Sequence, residues 1–181
     1  MSVTRVELMA SAAGKIGGVT WHHLFLVATD ESGRQSCLRA GPQRLPIGKL
    51  AGRKSQHGDP LEDYERPPEG PYGVITFSTG AYAAGAFDFD PVAADVTLAS
   101  ANAAAELWDG LQQAALALGA ERIPYDPAGT GANWAIMEAL RRCAVQAQLP
   151  PKRWAPGAGV PGDDPAPGVS TRRMGEAVVV A

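Results

Sequence analysis

The sequence predicts an α+β domain in which an antiparallel sheet of about four to six strands packs against two helices. Val19 to Thr29 reads Val-Thr-Trp-His-His-Leu-Phe-Leu-Val-Ala-Thr, a run of β-branched and aromatic residues that leads into the turn sequence Asp30-Glu-Ser-Gly33. Two later stretches, Ala101 to Leu118 and one beginning near Asn133, carry apolar residues three or four positions apart, as helices that cover a sheet do. With 181 residues, of which 45% are hydrophobic, the chain is long enough to bury one core without covalent staples.

Val3 to Met9 is a candidate strand beside the predicted hairpin. The return arm of that hairpin runs from Arg34 to Ala40, with Cys37 and Arg39 on one face, Ser36 and Leu38 on the other, and Gly41-Pro42 as its stop. From Gly41 to Pro71 the chain is polar and broken by Gly and Pro, far longer than a common connection, and reads as either functional or mobile. Tyr72 to Phe77 and Asp95 to Ala99 resemble short buried strands, separated by the aromatic and acidic loop Tyr82 to Asp90. Ser100 is placed as the N-cap of the first helix, in which Leu107, Leu111 and Leu118 share a face with Ala114 and Ala115 nearby, and Gly119 as its end. Arg122 to Tyr125 is short and extended, and the loop Asp126 to Ala132 leads into the second helix. There Trp134, Met137, Leu140 and Ala144 form the expected core stripe, and Pro150-Pro151 the stop.

The expected organisation is a single domain over residues 1–150 and a Pro/Gly-rich tail over residues 151–181, with an edge strand at 176–181. Residues Gly157 to Pro167 are expected to pack little, since their side chains offer almost nothing to bury. The 21 Gly and 15 Pro of the whole chain point to abundant loop. A formal charge of -3 with both signs scattered supplies no concentrated positive field, which argues against nucleic-acid binding. Cys37 and Cys143 are the whole cysteine content, and free thiols are the expected state. Glu7 interrupts the apolar start, so no secretory signal is read there, and no run has the length of a membrane-spanning helix. The expectation is cytoplasmic synthesis, with delivery by a signal-less route left open.

His22 and His23 are neighbours on a strand and point to opposite faces, so a two-histidine metal pair is not expected. His57 and Asp59 lack convergent ligand spacing, and neither metal nor cofactor is expected. Asp88 and Asp90 read as a solvated edge in preference to a glycosidase pair. Arg39, beside Gly41-Pro42, is suited to clamp a carboxylate or phosphate, or to form a structural salt bridge. Tyr125 and Asn133 suit either substrate orientation or satisfaction of loop backbone groups.

The order His23-Leu-Phe-Leu-Val, hairpin turn, Arg39-Ala-Gly-Pro42, Tyr125-Asp-Pro, then a Gly-rich loop with Asn133 entering a helix, resembles a group of bacterial domains found near toxins and secretion systems. In order and character these look like circularly permuted papain-like amidohydrolases, where a strand histidine precedes a nucleophile at a helix N-terminus. The resemblance covers short patches between Trp21 and Ala144. It implies that His23 faces the cleft between the sheet and the Asn133 helix. At the nucleophile position the pattern departs, because the expected Asn-Ser is Asn133-Trp134.

Two function classes follow. The first is a papain-like hydrolase or acyl-transfer domain acting on an amide or ester of a small-molecule, peptide or lipid substrate, as a delivered bacterial effector. In that case catalysis falls to His23 with Cys37, whose thiol would ionise beside an imidazole, while Arg39, Tyr125, Thr130 and Asn133 bind substrate. Thr130, in the Gly129–Gly131 loop, or an activated water would be the other nucleophiles. The second class is a catalytically inactive fold relative that serves as a binding or accessory module, with an immunity or secretion component as protein partner.

Overall fold

In a computed structural model, residues 2–16, 18–43, 72–85, 94–126, 129–149 and 155–159 are described. The elements run β1 (Val3–Ile16), β2 (Val19–Asp30), β3 (Gln35–Pro42), β4 (Ile75–Ala81), β5 (Ala94–Ser100), α1 (Asn102–Ala120) and α2 (Ala132–Arg142). The chain is α+β: its five strands pair antiparallel in the order β4-β3-β2-β1-β5, and both helices lie on one face of the sheet. β2 is the middle strand, as its apolar sequence requires. The turn that follows it is held by Asp30, whose carboxylate accepts from the Ser32 amide (2.8 Å), the Ser32 hydroxyl (2.6 Å) and the Arg34 amide (3.0 Å). Gly33 takes φ 80° there, a conformation that favours glycine.

Strand alternation sorts the core into two faces. Val6, Leu8 and Ala10 of β1, Leu24, Leu26 and Ala28 of β2 and Leu38 of β3 meet Trp108, Leu111 and Leu118 of α1 and Ile136, Ala139 and Leu140 of α2. Met9, Phe25, Val27 and Cys37 form a second buried cluster on the opposite face, with Tyr82 packed against it. The predicted separation of Cys37 from Leu38 is therefore observed.

Several boundaries differ from expectation. β1 extends to Ile16, with a bulge between Ala12 and Gly14. Ser100 is the last residue of β5, opposite Arg5, and no side chain caps α1; the chain turns at Ala101 (φ 51°), whose amide donates to Thr4 O at 2.9 Å. α1 passes through Gly119 to Ala120, and Trp108, rather than the half-buried Leu107, joins Leu111 on its buried face. α2 stops at Arg142, well before Pro150, because Ala144 adopts φ 57° and the Val145 amide returns to Leu140 O at 3.0 Å. Its buried residues are Ala132, Asn133, Ala135, Ile136, Ala139 and Leu140, so the core stripe is rotated from the one expected, and Trp134 and Met137 flank it. Glu138 holds this end of the helix, with Arg141 at 2.7 Å and Arg142 at 3.1 Å keeping its carboxyl down at about 2.

The largest correction concerns the start of the tail. Ala155 and Ala158 are 0% and 5% exposed within the main core, so packing continues past residue 150. Gly157 explains how: at φ 80° a Cβ there would meet Gly129 O at 2.9 Å, so only glycine lets this segment lie against the loop before α2. The predicted edge strand 176–181 and residues 160–167 lie outside the described residues. Gly157→Ala is expected to destabilise the fold by about 3 kcal/mol, combining left-handed strain with the backbone clash. Gly159→Ala, where φ is also positive but nothing lies within 4 Å, is expected to cost only about 1 kcal/mol. Urea unfolding midpoints of the two variants check the difference.

Candidate functional site

α2 begins where β2 loses one neighbour. β3 pairs with β2 from Leu26↔Leu38 to Thr29↔Gln35, while Arg39 to Pro42 continue alongside β4 alone. Upstream of Leu26 the Asn133 carboxamide takes over the exposed edge of β2. Its Oδ1 accepts from the Leu24 amide at 2.8 Å, and its Nδ2 donates to His22 O and Pro156 O, both at 3.0 Å. A side-chain amide offers the same donor and acceptor as a peptide group, so Asn133 continues the ladder in place of a strand. The side chain is 4% exposed and both of its amide hydrogens are used.

The rest of the helix start is also bound into the fold. The Ala132 amide hydrogen-bonds to the Tyr125 hydroxyl; burial raises the pKa of that phenol, and the amide opposes the rise. The Tyr125 ring lies 5.8 Å from that of Tyr72, and its amide donates to Gly73 O at 2.9 Å. The Thr130 hydroxyl donates to Pro124 O at 2.9 Å, and Thr130 O accepts from the Asp126 amide at 3.2 Å. Tyr125, Thr130 and Asn133 thus lie at one end of α2, with their polar groups bonded to backbone.

The histidines correct the expected orientation. Alternation along β2 puts His22 on the helix side with Leu24 and Leu26, and His23 on the opposite side with Phe25 and Val27. Asn133 touches the main chain on either side of His23, while the imidazole packs edge-on against Trp21 with ring centres 4.7 Å apart. Burial lowers the His23 pKa and the nearby Arg39 charge lowers it further, so the ring is neutral at pH 7. Cys37 shares this face but stands opposite Val27. Four residues of strand, about 13 Å, separate Val27 from His23, which is beyond hydrogen-bond reach for a thiol and an imidazole. Burial also pushes the Cys37 thiol up, against the opposing charge of Arg39, and Cys143 is raised by burial as well.

One group on this second face, Glu7, figured in the sequence only as a break in the apolar start. Glu7 is 5% exposed, 3.2 Å from Arg5 Nε, and hydrogen-bonded to Asp95. Burial raises its pKa most, Arg5 opposes the rise and Asp95 adds to it. A carboxylate within an alternating apolar strand was the available sign. Among the described residues no three His, Cys, Asp or Glu converge as metal ligands, and no helix is long and apolar enough to cross a membrane. His57, Asp59, Asp88 and Asp90 lie outside the described residues. Comparison with family models, curated proteins and solved structures finds no match to this chain.

Asn133→Ala is expected to lose about 3 kcal/mol, because it strands the Leu24 amide and the His22 carbonyl in a buried place; chemical denaturation measures this. Lowered folded-state basicity of His23 gives a second expectation. The folded state binds fewer protons than the unfolded one below the ordinary histidine pKa of about 6.5, so stability present above that pH falls as pH drops beneath it. His23→Gln should flatten this part of the curve, measured as urea midpoints between about pH 7.5 and pH 5.

Proposed function

We propose that this domain is a catalytically inactive relative of permuted papain-like hydrolases that works as a binding or accessory module of a toxin or secretion system. The observation that carries this reading is the Asn133 carboxamide, bonded at all three contacts to the backbone of β2 and of residue 156. The histidine strand and the Asn133 helix are adjacent, as the resemblance implies, but their junction is a structural seam. At the next position, where the resemblance puts a nucleophile, Trp134 packs against the core.

The other nucleophiles fit catalysis poorly. The Thr130 proton is directed at Pro124 O. Cys37 is held in its thiol form and lies away from His23. His23 and Arg39 share the sheet face opposite the helices, the face on which a partner that presents a carboxylate or phosphate would be met.

Hydrolysis of a 4-nitrophenyl ester and of a peptide anilide tests the reading. The parent, Cys37→Ser and His23→Ala are expected to show the same background rate. A loss of about 100-fold or more in either variant, the usual effect of removing a general base or nucleophile, would restore the hydrolase reading.

A further inference from the structure

We propose that the open edge of β4 is a self-association surface, on which a second copy of this chain adds its own β4 in antiparallel register to make one continuous sheet. This goes beyond the binding-module reading and does not depend on it.

β4 is an edge strand, and its two ends differ. At its start the outer edge is covered: the Ile75 amide donates to Ile123 O at 2.8 Å, the Tyr125 amide donates to Gly73 O at 2.9 Å, and Val74 bridges Pro124. The inner edge meets β3, with Ser36↔Ala81 and Leu38↔Thr79 in register and the Tyr82 amide donating to Gln35 O at 3.0 Å. Backbone groups of a strand alternate in direction, so Phe77 and Thr79 and the Ala81 amide point outward, in phase with Ile75, while the Ala81 carbonyl accepts from the Cys37 thiol of β3 at 4.0 Å. Among the described residues no backbone group bonds to them from that side. Ser78, Thr79, Gly80 and Ala81 are all exposed.

An exposed edge normally carries a charge, a proline or a bulge that discourages pairing. The opposite edge follows that rule: β5 bears Asp95, and its register with β1 is broken between Val6 and Glu7. β4 does not. Its sequence, Ile-Thr-Phe-Ser-Thr-Gly-Ala, has no charged residue and no proline, and its pairing with β3 runs without a register shift.

The same segment says which occupant fits. A two-fold axis through Thr79 pairs Thr79 with Thr79 of the second copy and Phe77 with Ala81, a large side chain beside a small one. The outward groups of these residues then supply about four backbone hydrogen bonds. The register stops short of Ile75, where Ile123 to Tyr125 already occupy the edge. An uncharged strand meets its own copy without like-charge repulsion, and threonine facing threonine is a favourable cross-strand pair. The contact is short, so association is expected to be weak and concentration-dependent.

Sedimentation of the full chain from about 1 μM to about 1 mM, with Kd obtained from the mass, reads the association directly. The parent and Thr79→Val are expected to approach twice the chain mass, and Thr79→Lys, which sets two like charges on the axis, to remain monomeric. Thr79→Cys gives a readout that does not depend on a variant weakened in folding. In a Cys143→Ser background it should oxidise to a disulfide between residues 79 of two copies, since hydrogen-bonded strand neighbours lie about 5.5 Å apart at Cα, whereas Ser78→Cys should not. A parent that stays monomeric with no 79–79 cross-link overturns the proposal. So does a dimer that survives Thr79→Lys, or an edge that captures unrelated extended peptides while the parent chain remains monomeric.

Discussion

The structure depends on one side-chain amide standing in for a strand. β2 is the centre of the sheet, yet β3 leaves it after Leu26, and a buried strand edge without partners would strand several polar groups. Asn133 closes that gap and in doing so fixes the start of α2 to the sheet. Through Pro156 O it also draws in the segment around Ala155 and Ala158, which fills the core beside the helices. Three pieces of chain far apart in sequence are thus set relative to one another by a single residue.

The two faces of the sheet divide the electrostatic work. On the helix side Leu, Ile, Ala and Trp side chains interdigitate between the layers, with His22 and Asn133 as buried polar groups where α2 meets β2. The opposite side mixes Met9, Phe25 and Val27 with Glu7, Ser11, His23 and Arg39, so titratable groups sit among apolar neighbours. Burial then works on each group according to its charge: it neutralises the imidazole and holds the thiol protonated, and it raises Glu7, which shares a hydrogen bond with Asp95.

Much of the architecture was legible because strand alternation and helical spacing are local properties. The hairpin from Val19 through Arg34, the opposite faces of Cys37 and Leu38, and two covering helices could all be read from nearest neighbours in the chain. Helix ends were not, since they turned on long-range or unusual backbone features: Ser100 is retained by its pairing with Arg5, and α2 is cut short by a left-handed Ala144. The packing of Ala155 and Ala158 was hidden for a similar reason, because small side chains fill a core only where the surrounding layers leave a small space. Which histidine faces the helices depended on the phase of β2 against α2. A motif alignment carries no information about that phase. Asn133 was recognised as a residue of interest, but its choice between substrate and backbone is a matter of tertiary geometry.

The claim that Asn133 replaces a missing strand is tested most directly by amide hydrogen exchange at Leu24, followed by NMR in the full chain. Leu24 donates to the Asn133 carboxamide, whereas Leu26 lies at the first paired position with β3. The account predicts that the two amides exchange within about tenfold of each other, and that Asn133→Ala accelerates Leu24 selectively. Exchange of Leu24 in the parent as fast as at the exposed Ala83 and Ala84, which lie outside the strands, would contradict it.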